Sequence, residues 1–115
     1  MKTSVKRVYD YTETAGRSAI LVDRLWPRGI NKEKLKGVVW LKILTPSSEL
    51  RSWFHQDKVA RHDIFSKKYL AELEANKGKV EIALSDLGEH LTLLTAVKDI
   101  ECSHIPTLQT FLKKL

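Results

Sequence analysis

The chain reads as an α/β fold, a single small domain over residues 1–115 with a mainly parallel sheet and helices packed on it. Two observations predict this. The runs "AILV", Ala19 to Val22, and "LTLLTAV", Leu91 to Val97, are almost continuously apolar, the pattern of strands buried on both faces. Other stretches repeat their apolar residues at helical spacing, and buried strands separated by helical crossovers build parallel sheets. With 43% hydrophobic and 30% charged residues in 115 positions, there is enough apolar material for one ordinary core.

Each element has its own local signal. "SVKRVYDY", Ser4 to Tyr11, alternates side chains and is rich in β-branched and aromatic residues, so it predicts a strand. "TETAG" ends it, with Gly16 suited to a positive-φ turn. The Ala19 run then supplies a central strand. "NKEKLKG", Asn31 to Gly37, opens on a capping residue and closes on glycine, which predicts one helical turn. Val38 to Leu44 fits either a strand or an irregular extended segment. A helix follows with Thr45 as cap, Pro46 at its first position, Glu49 in its first turn, and Leu50, Trp53 and Phe54 as its apolar stripe. A longer helix runs from about Val59 to Asn76, turning Ile64, Phe65, Tyr69, Leu70 and Leu73 inward, with "NKG" as its stop. "KVEIALSDLGEH", Lys79 to His90, repeats Val80, Ala83, Leu84 and Leu87 at helical spacing. After the Leu91 strand, the last helix is capped by Ser103, tolerates Pro106 in its first turn and buries Ile105, Leu108, Phe111 and Leu112.

Charge and composition bound the function. Cys102 is the single cysteine, so no internal disulfide forms, and a chain without a cysteine framework fits a reducing cytoplasm. "MKTSVKRVYD" has no signal-peptide core, and no run approaches the roughly 18 apolar residues of a membrane span. The reading is a soluble, cytoplasmic protein without membrane contact. Residues 1–42 hold 10 Lys and Arg against 4 Asp and Glu, whereas residues 43–115 hold 10 against 10, so the net +6 arises entirely in the first part. That asymmetry predicts a basic face attractive to phosphates, although the same surplus also arises as plain solvated surface. Nucleic acid is the alternative partner; against it, no groove-reading motif or interleaved aromatic surface is present. No Gly-rich dinucleotide motif or P-loop appears, and His55, His62 and His90 lack zinc-type spacing, so no cofactor and no metal are expected. The apolar Trp40 and Trp53 regions leave room for a dimer surface, so the chain is expected as a monomer or homodimer.

The densest chemistry lies in "DRLWPRGI", Asp23 to Ile30. Ligands of parallel sheets gather beyond the carboxyl ends of the strands. If the two buried strands are parallel neighbours, "DRLWPRG" and "KDIECSH" leave at one edge. Trp26 and Pro27 would stiffen the first loop and Gly29 would let it bend, presenting Arg24 and Arg28 as rigid guanidiniums for a carboxylate or phosphate. Lys98 and the N–H groups of the last helix would add donors. The competing reading pairs Asp23 with one of these arginines, uses Trp26 to fill a core gap and makes the loop a staple of the fold. His104 is placed to act as an acid or base, or to orient an anion, while a capping or buried histidine is the plainer alternative. Cys102 beside it lacks a phosphate cradle and is read as inert.

These segments carry a resemblance. "ILVDRLWPRGI", "LTPSSELRSWF", "KYLAEL" and "LTLLTAVKD" followed by "SHIPTLQTFL" are similar to the short, YeaO-like branch of the bacterial domain-of-unknown-function family 488, in the same order over nearly the whole chain. That family has no settled activity, so the resemblance names no reaction. It implies hallmark positions at Asp23, Arg24, Trp26, Pro27, Arg28 and Gly29, at Pro46, Ser47, Leu50, Arg51, Trp53 and Phe54, and at Tyr69, Lys98, Asp99 and His104. From this set, Arg24, Trp26, Arg28, Tyr69, Lys98 and Asp99 are expected to contact a small anionic ligand, a nucleotide or phosphorylated metabolite. Asp23 and His104 are the expected proton-transfer groups, if any reaction is catalysed. Relatives typically carry Asn-His-Ala where this chain has Ser103, His104 and Ile105, so no role of an Asn neighbour transfers. Longer members carry Cys-His-Arg near this point, which Cys102 matches only loosely, and no nucleophile is carried over.

Overall fold

The structure, a computed structural model, describes residues 1–12 and 18–115, so the turn expected at Gly16 lies outside the described residues. Its strands are β1 (Lys2–Arg7), β2 (Ser18–Leu21), β3 (Val39–Trp40) and β4 (His90–Thr95). All pair in parallel, in the order β1-β4-β2-β3. The helices are α1 (Ser48–Gln56), α2 (Lys58–Ala75), α3 (Lys77–Leu84) and α4 (Ile105–Lys113). The expected parallel α/β architecture is therefore present. β4 inserts between β1 and β2, with Leu93 in register with Val5 on one side and Ile20 on the other. This central position explains why the two apolar runs lack the alternation of a half-exposed strand.

Alternation within the strands divides the core in two. Ile20, Val22, Leu91 and Leu93 face the helices, joining Phe65, Tyr69 and Leu73 of α2 and Leu108 and Leu112 of α4. Ala19, Leu21 and Leu94 face the other way and meet Val8, Leu35, Trp26, Ile30 and Trp40. None of the side chains packed on this second face comes from an α-helix; the segment 22–38 and its neighbours cover it. Each fully buried leucine or phenylalanine contributes about 1.5–3 kcal/mol of burial, so both clusters matter to stability.

Several boundaries differ from the sequence reading. β1 stops at Arg7, opposite the last residue of its partner β4, and Val8–Asp10 turn in a 3-10 helix that buries Val8. Within Val38–Leu44 only Val39 and Trp40 find a partner strand, and Lys42–Leu44 coil into another 3-10 turn. Asn31 does cap, accepting the Lys34 N–H at 3.0 Å, but residues 32–37 form successive turns rather than a helix and end at Gly37 with φ +85°. The cap of α1 is Ser47, whose hydroxyl oxygen accepts the Leu50 N–H at 3.2 Å. Thr45 instead donates to the Lys42 carbonyl at 2.6 Å, and Pro46 precedes the helix. Ser47 is held in turn by Glu72 of α2, which accepts its N–H at 2.8 Å and its hydroxyl at 2.6 Å.

Asn76 ends α2, yet α3 restarts at Lys77 and carries Gly78 inside it, so "NKG" is a kink between helices rather than a stop. α3 ends at Leu84, six residues before the expected His90, because Gly88 with φ +79° turns the chain and His90 already pairs with Lys2. Ile64, expected inside, is 52% exposed. The buried residues Phe65, Tyr69 and Leu73 recur every fourth position, and Ile64 lies about 100° around the helix from Phe65. β4 ends at Thr95, which leaves Ala96 and Val97 to the loop that follows. No helix among the described residues is long and apolar enough to cross a membrane.

Candidate functional site

The exits of β2 and β4, adjacent and parallel, meet at a cleft of about 540 Å³ at the carboxyl edge of the sheet. Asp23 ties the two exits together. Its Oδ1 accepts the Thr95 hydroxyl at 2.6 Å and its Oδ2 accepts the Ala96 N–H at 2.7 Å, which joins residues more than 70 positions apart in the chain. Its backbone carbonyl accepts the Trp40 indole N–H at 2.7 Å. Trp26 donates to the Ile30 carbonyl at 2.7 Å and meets Trp40 edge-on, with ring centroids 5.4 Å apart. Tyr9 donates to the Arg28 carbonyl at 3.1 Å, and Gly29 takes φ +79° to complete the turn. The "DRLWPRG" loop is thus fastened at several points of its backbone, which leaves Arg24 and Arg28 projecting from a rigid support.

Arg24, Arg28 and Lys98 line this cleft together with Asp23, Trp26, Asp99 and His104. The competing expectation that Asp23 pairs with an arginine is not met; its oxygens go to Thr95 and Ala96, and His104 Nε2 lies 3.6 Å from its Oδ1. No Lys or Arg pairs with a carboxylate among the described residues. Asp99 is likewise occupied, accepting the Cys102 N–H at 3.2 Å. Trp26 does fill a gap in the second core as well as lining the cleft.

His104 is buried at the start of α4. A carbonyl can only accept, so the 2.7 Å contact of Nε2 with the Val22 carbonyl places the proton on Nε2. Burial pulls its pKa below the ordinary value; Asp23 and the Val22 bond oppose that pull, and Arg51 adds to it. Near neutral pH the ring is an uncharged brace between the β2 exit and α4. Tyr69, expected at the ligand, sits behind the site: it is fully buried, its hydroxyl donates to the Leu44 carbonyl, and its ring meets that of His104 at a centroid distance of 6.0 Å. The N-terminus of α4 offers little to an anion, since the Ile105 N–H is taken by Ser103 Oγ at 3.1 Å and Pro106 has none. The Cys102 thiol lies 3.9 Å from the Lys58 carbonyl.

Three basic residues of the cleft were absent from the sequence-derived ligand set. Arg51 and His55 of α1 and Lys58 of α2 also line it. Arg51 and His55 are four apart and so share one helix face, a spacing the sequence displays. What it does not display is that this face turns toward the β2 exit. The field there is positive: partial burial, then the charges of Lys58 and Arg51, depress the pKa of His55. His62 and His90 are engaged elsewhere, by the Ser103 carbonyl at 3.3 Å and the Ser4 hydroxyl at 2.9 Å. No three His, Cys, Asp or Glu side chains among the described residues form a group able to hold a metal ion.

Comparison with known proteins supplies the family. The family model described as "Inactive DUF488-N3 subclade" matches residues 2–115. The chain is 41% identical over 117 residues to the uncharacterized protein YeaO of Escherichia coli (strain K12), covering the whole of both. It is 32% identical over 111 residues to the uncharacterized proteins Rv3073c of Mycobacterium tuberculosis and Mb3100c of Mycobacterium bovis, covering 96% of this chain and 93% of each relative. No solved structure matches. A family-model match across nearly every residue, together with a full-length YeaO-like relative, makes this chain a member of the DUF488 family.

Proposed function

We propose that the protein binds a small anionic ligand in this cleft, through Arg24, Arg28 and Lys98 with Arg51 and Lys58 completing the ring of charge. One observation carries the reading: among the described residues, five cationic side chains line a single cleft together with two carboxylates, Asp23 and Asp99, that are both hydrogen-bonded within the protein. Cations gathered without carboxylate partners repel one another, and an anion relieves that repulsion. Guanidiniums on a fastened loop bind planar or tetrahedral oxyanions in bidentate fashion with little ordering cost.

Binding rather than catalysis suits the two expected proton-transfer groups. Both oxygens of Asp23 accept hydrogen bonds, and the Nε2–H of His104 is spent on a backbone carbonyl. Their role in this reading is to hold the β2 and β4 exits and α4 in place. The description of the matched subclade as inactive is in keeping with it.

A thermal-shift screen against inorganic phosphate, organic phosphates and carboxylates tests the proposal, because a ligand of the native state raises the melting temperature by mass action. A shift in the parent protein that is lost in Arg28→Ala is expected; no shift with any anion overturns the reading. Short DNA and RNA at low and raised salt form a separate arm. Steep loss of an oligonucleotide shift with salt, without any response to small anions, would favour the nucleic-acid alternative raised by the basic first 42 residues.

A further inference from the structure

The charge at this cleft accounts for only part of its wall. Leu25, in the β2 exit loop, is 59% exposed, and Val59, in the first turn of α2, is 85% exposed; both line the cleft. Single exposed apolar side chains are ordinary. Here two of the most exposed in the molecule, from different elements, border the same cavity as the cations. Deeper in the same wall, Phe54 and Phe65 stack with ring centroids 4.0 Å apart. Ligand sites combine apolar walls with a few placed polar groups in cavities of roughly 300–1,000 Å³, and about 540 Å³ falls within that range.

Resting on the anion-binding reading, we infer that the ligand is a phosphate monoester whose phosphate meets the arginines and whose apolar, ring-bearing body lies against Leu25 and Val59, with the buried phenylalanines behind them. A bare inorganic anion would leave that apolar wall in water. A neutral apolar molecule would leave the cations unmatched. Among the described residues, five cations against two carboxylates leave an excess of three charges, which suits a group carrying about −1.5 to −2 at pH 7 better than a single carboxylate. Three of the five are guanidiniums, Arg24, Arg28 and Arg51, whose forks match phosphate oxygens and whose planes also stack on rings.

Isothermal titration of the full chain with 1-naphthyl phosphate, inorganic phosphate and 1-naphthol tests this. Naphthyl phosphate is expected to bind about tenfold or more tightly than inorganic phosphate, and naphthol not measurably. Leu25→Ser and Val59→Ser should collapse the preference for naphthyl phosphate over phosphate; both positions are exposed, so melting curves should show each variant folded. Equal affinity for naphthyl phosphate and phosphate in the parent protein, or a preference unchanged in both variants, overturns this inference and leaves anion binding intact. Failure of both phosphates to bind overturns this inference; silence toward the carboxylates of the thermal-shift screen as well, or naphthol binding as tightly as its phosphate, overturns the anion-binding reading together with it.

Discussion

Leu93 and Leu94 are neighbours on β4 and both are fully buried, yet they are covered by different kinds of structure. Leu93 packs beneath the helices, where stripes such as Phe65, Tyr69 and Leu73 meet the sheet at regular intervals. Leu94 packs beneath an irregular segment held by two indole rings and a handful of side-chain-to-backbone hydrogen bonds. A helix buries one face by periodicity and sends the rest to solvent on a fixed schedule. An irregular segment has no such schedule, so it can bury Trp26 and project Arg24 and Arg28 into a cleft within a few residues. The cover of this loop-covered face thus supplies Arg24 and Arg28 to the cleft, while α1, α2 and the β4–α4 loop supply Arg51, Lys58 and Lys98.

The largest test of this contrast is a pair of truncations. Leu93→Ala should cost about 3 kcal/mol in urea unfolding, as large-to-small changes under rigid helices do. Leu94→Ala should cost less, about 2 kcal/mol, because the loop cover can settle into the space. Equal losses would mean the irregular cover is as unyielding as the helical one. Next come two hydroxyl or indole deletions. Trp40→Phe removes the bond to the Asp23 carbonyl and Tyr69→Phe removes the bond to the Leu44 carbonyl, and each should cost about 1–2 kcal/mol. Only Trp40→Phe should also weaken phosphate binding in titration, since it alone loosens the arginine loop.

The pH dependence separates the same regions more finely. The folded pKa of His104 lies below the ordinary 6.5, so between the two values the unfolded chain binds more protons. Its contribution is complete above pH 6.5 and is lost as the pH falls toward the depressed folded value. His104→Gln should therefore flatten the acid side of a melting-temperature profile. Tyr69 behaves oppositely: burial, then the charges of Glu72 and Asp23, raise its pKa well above 10, so stability falls as the pH climbs through 10 and the unfolded phenol ionises first. Tyr69→Phe should remove that alkaline limb. The smallest expected effect on stability is that of Arg28→Ala, within about 0.5 kcal/mol, because its guanidinium is exposed and makes no ion pair among the described residues. A loss much larger than that would mean the arginine holds the loop rather than a ligand.

What the sequence determined by itself follows from local chemistry. Continuous apolar runs identified the two central strands, helical spacing located Leu50, Phe54, Leu108 and Leu112 in the core, and "DRLWPRG" and "VKD" after those strands pointed to one sheet edge. Other features depend on contacts made across the chain and have no local signature. Val39 and Trp40 are a strand only because β2 pairs with them, and Ser47 rather than Thr45 caps α1 with its hydroxyl bound to Glu72. Tyr69 fits a helical stripe equally well whether it faces a ligand or sits behind the site, and packing put it behind. Asp23 could have met either arginine four residues apart; the parallel pairing of β2 and β4 gave its oxygens to Thr95 and Ala96 instead. Freed from that carboxylate, the arginines of the loop and Arg51 of α1 converge on one cavity, an outcome that rests on how far apart in sequence and how close in space those elements lie.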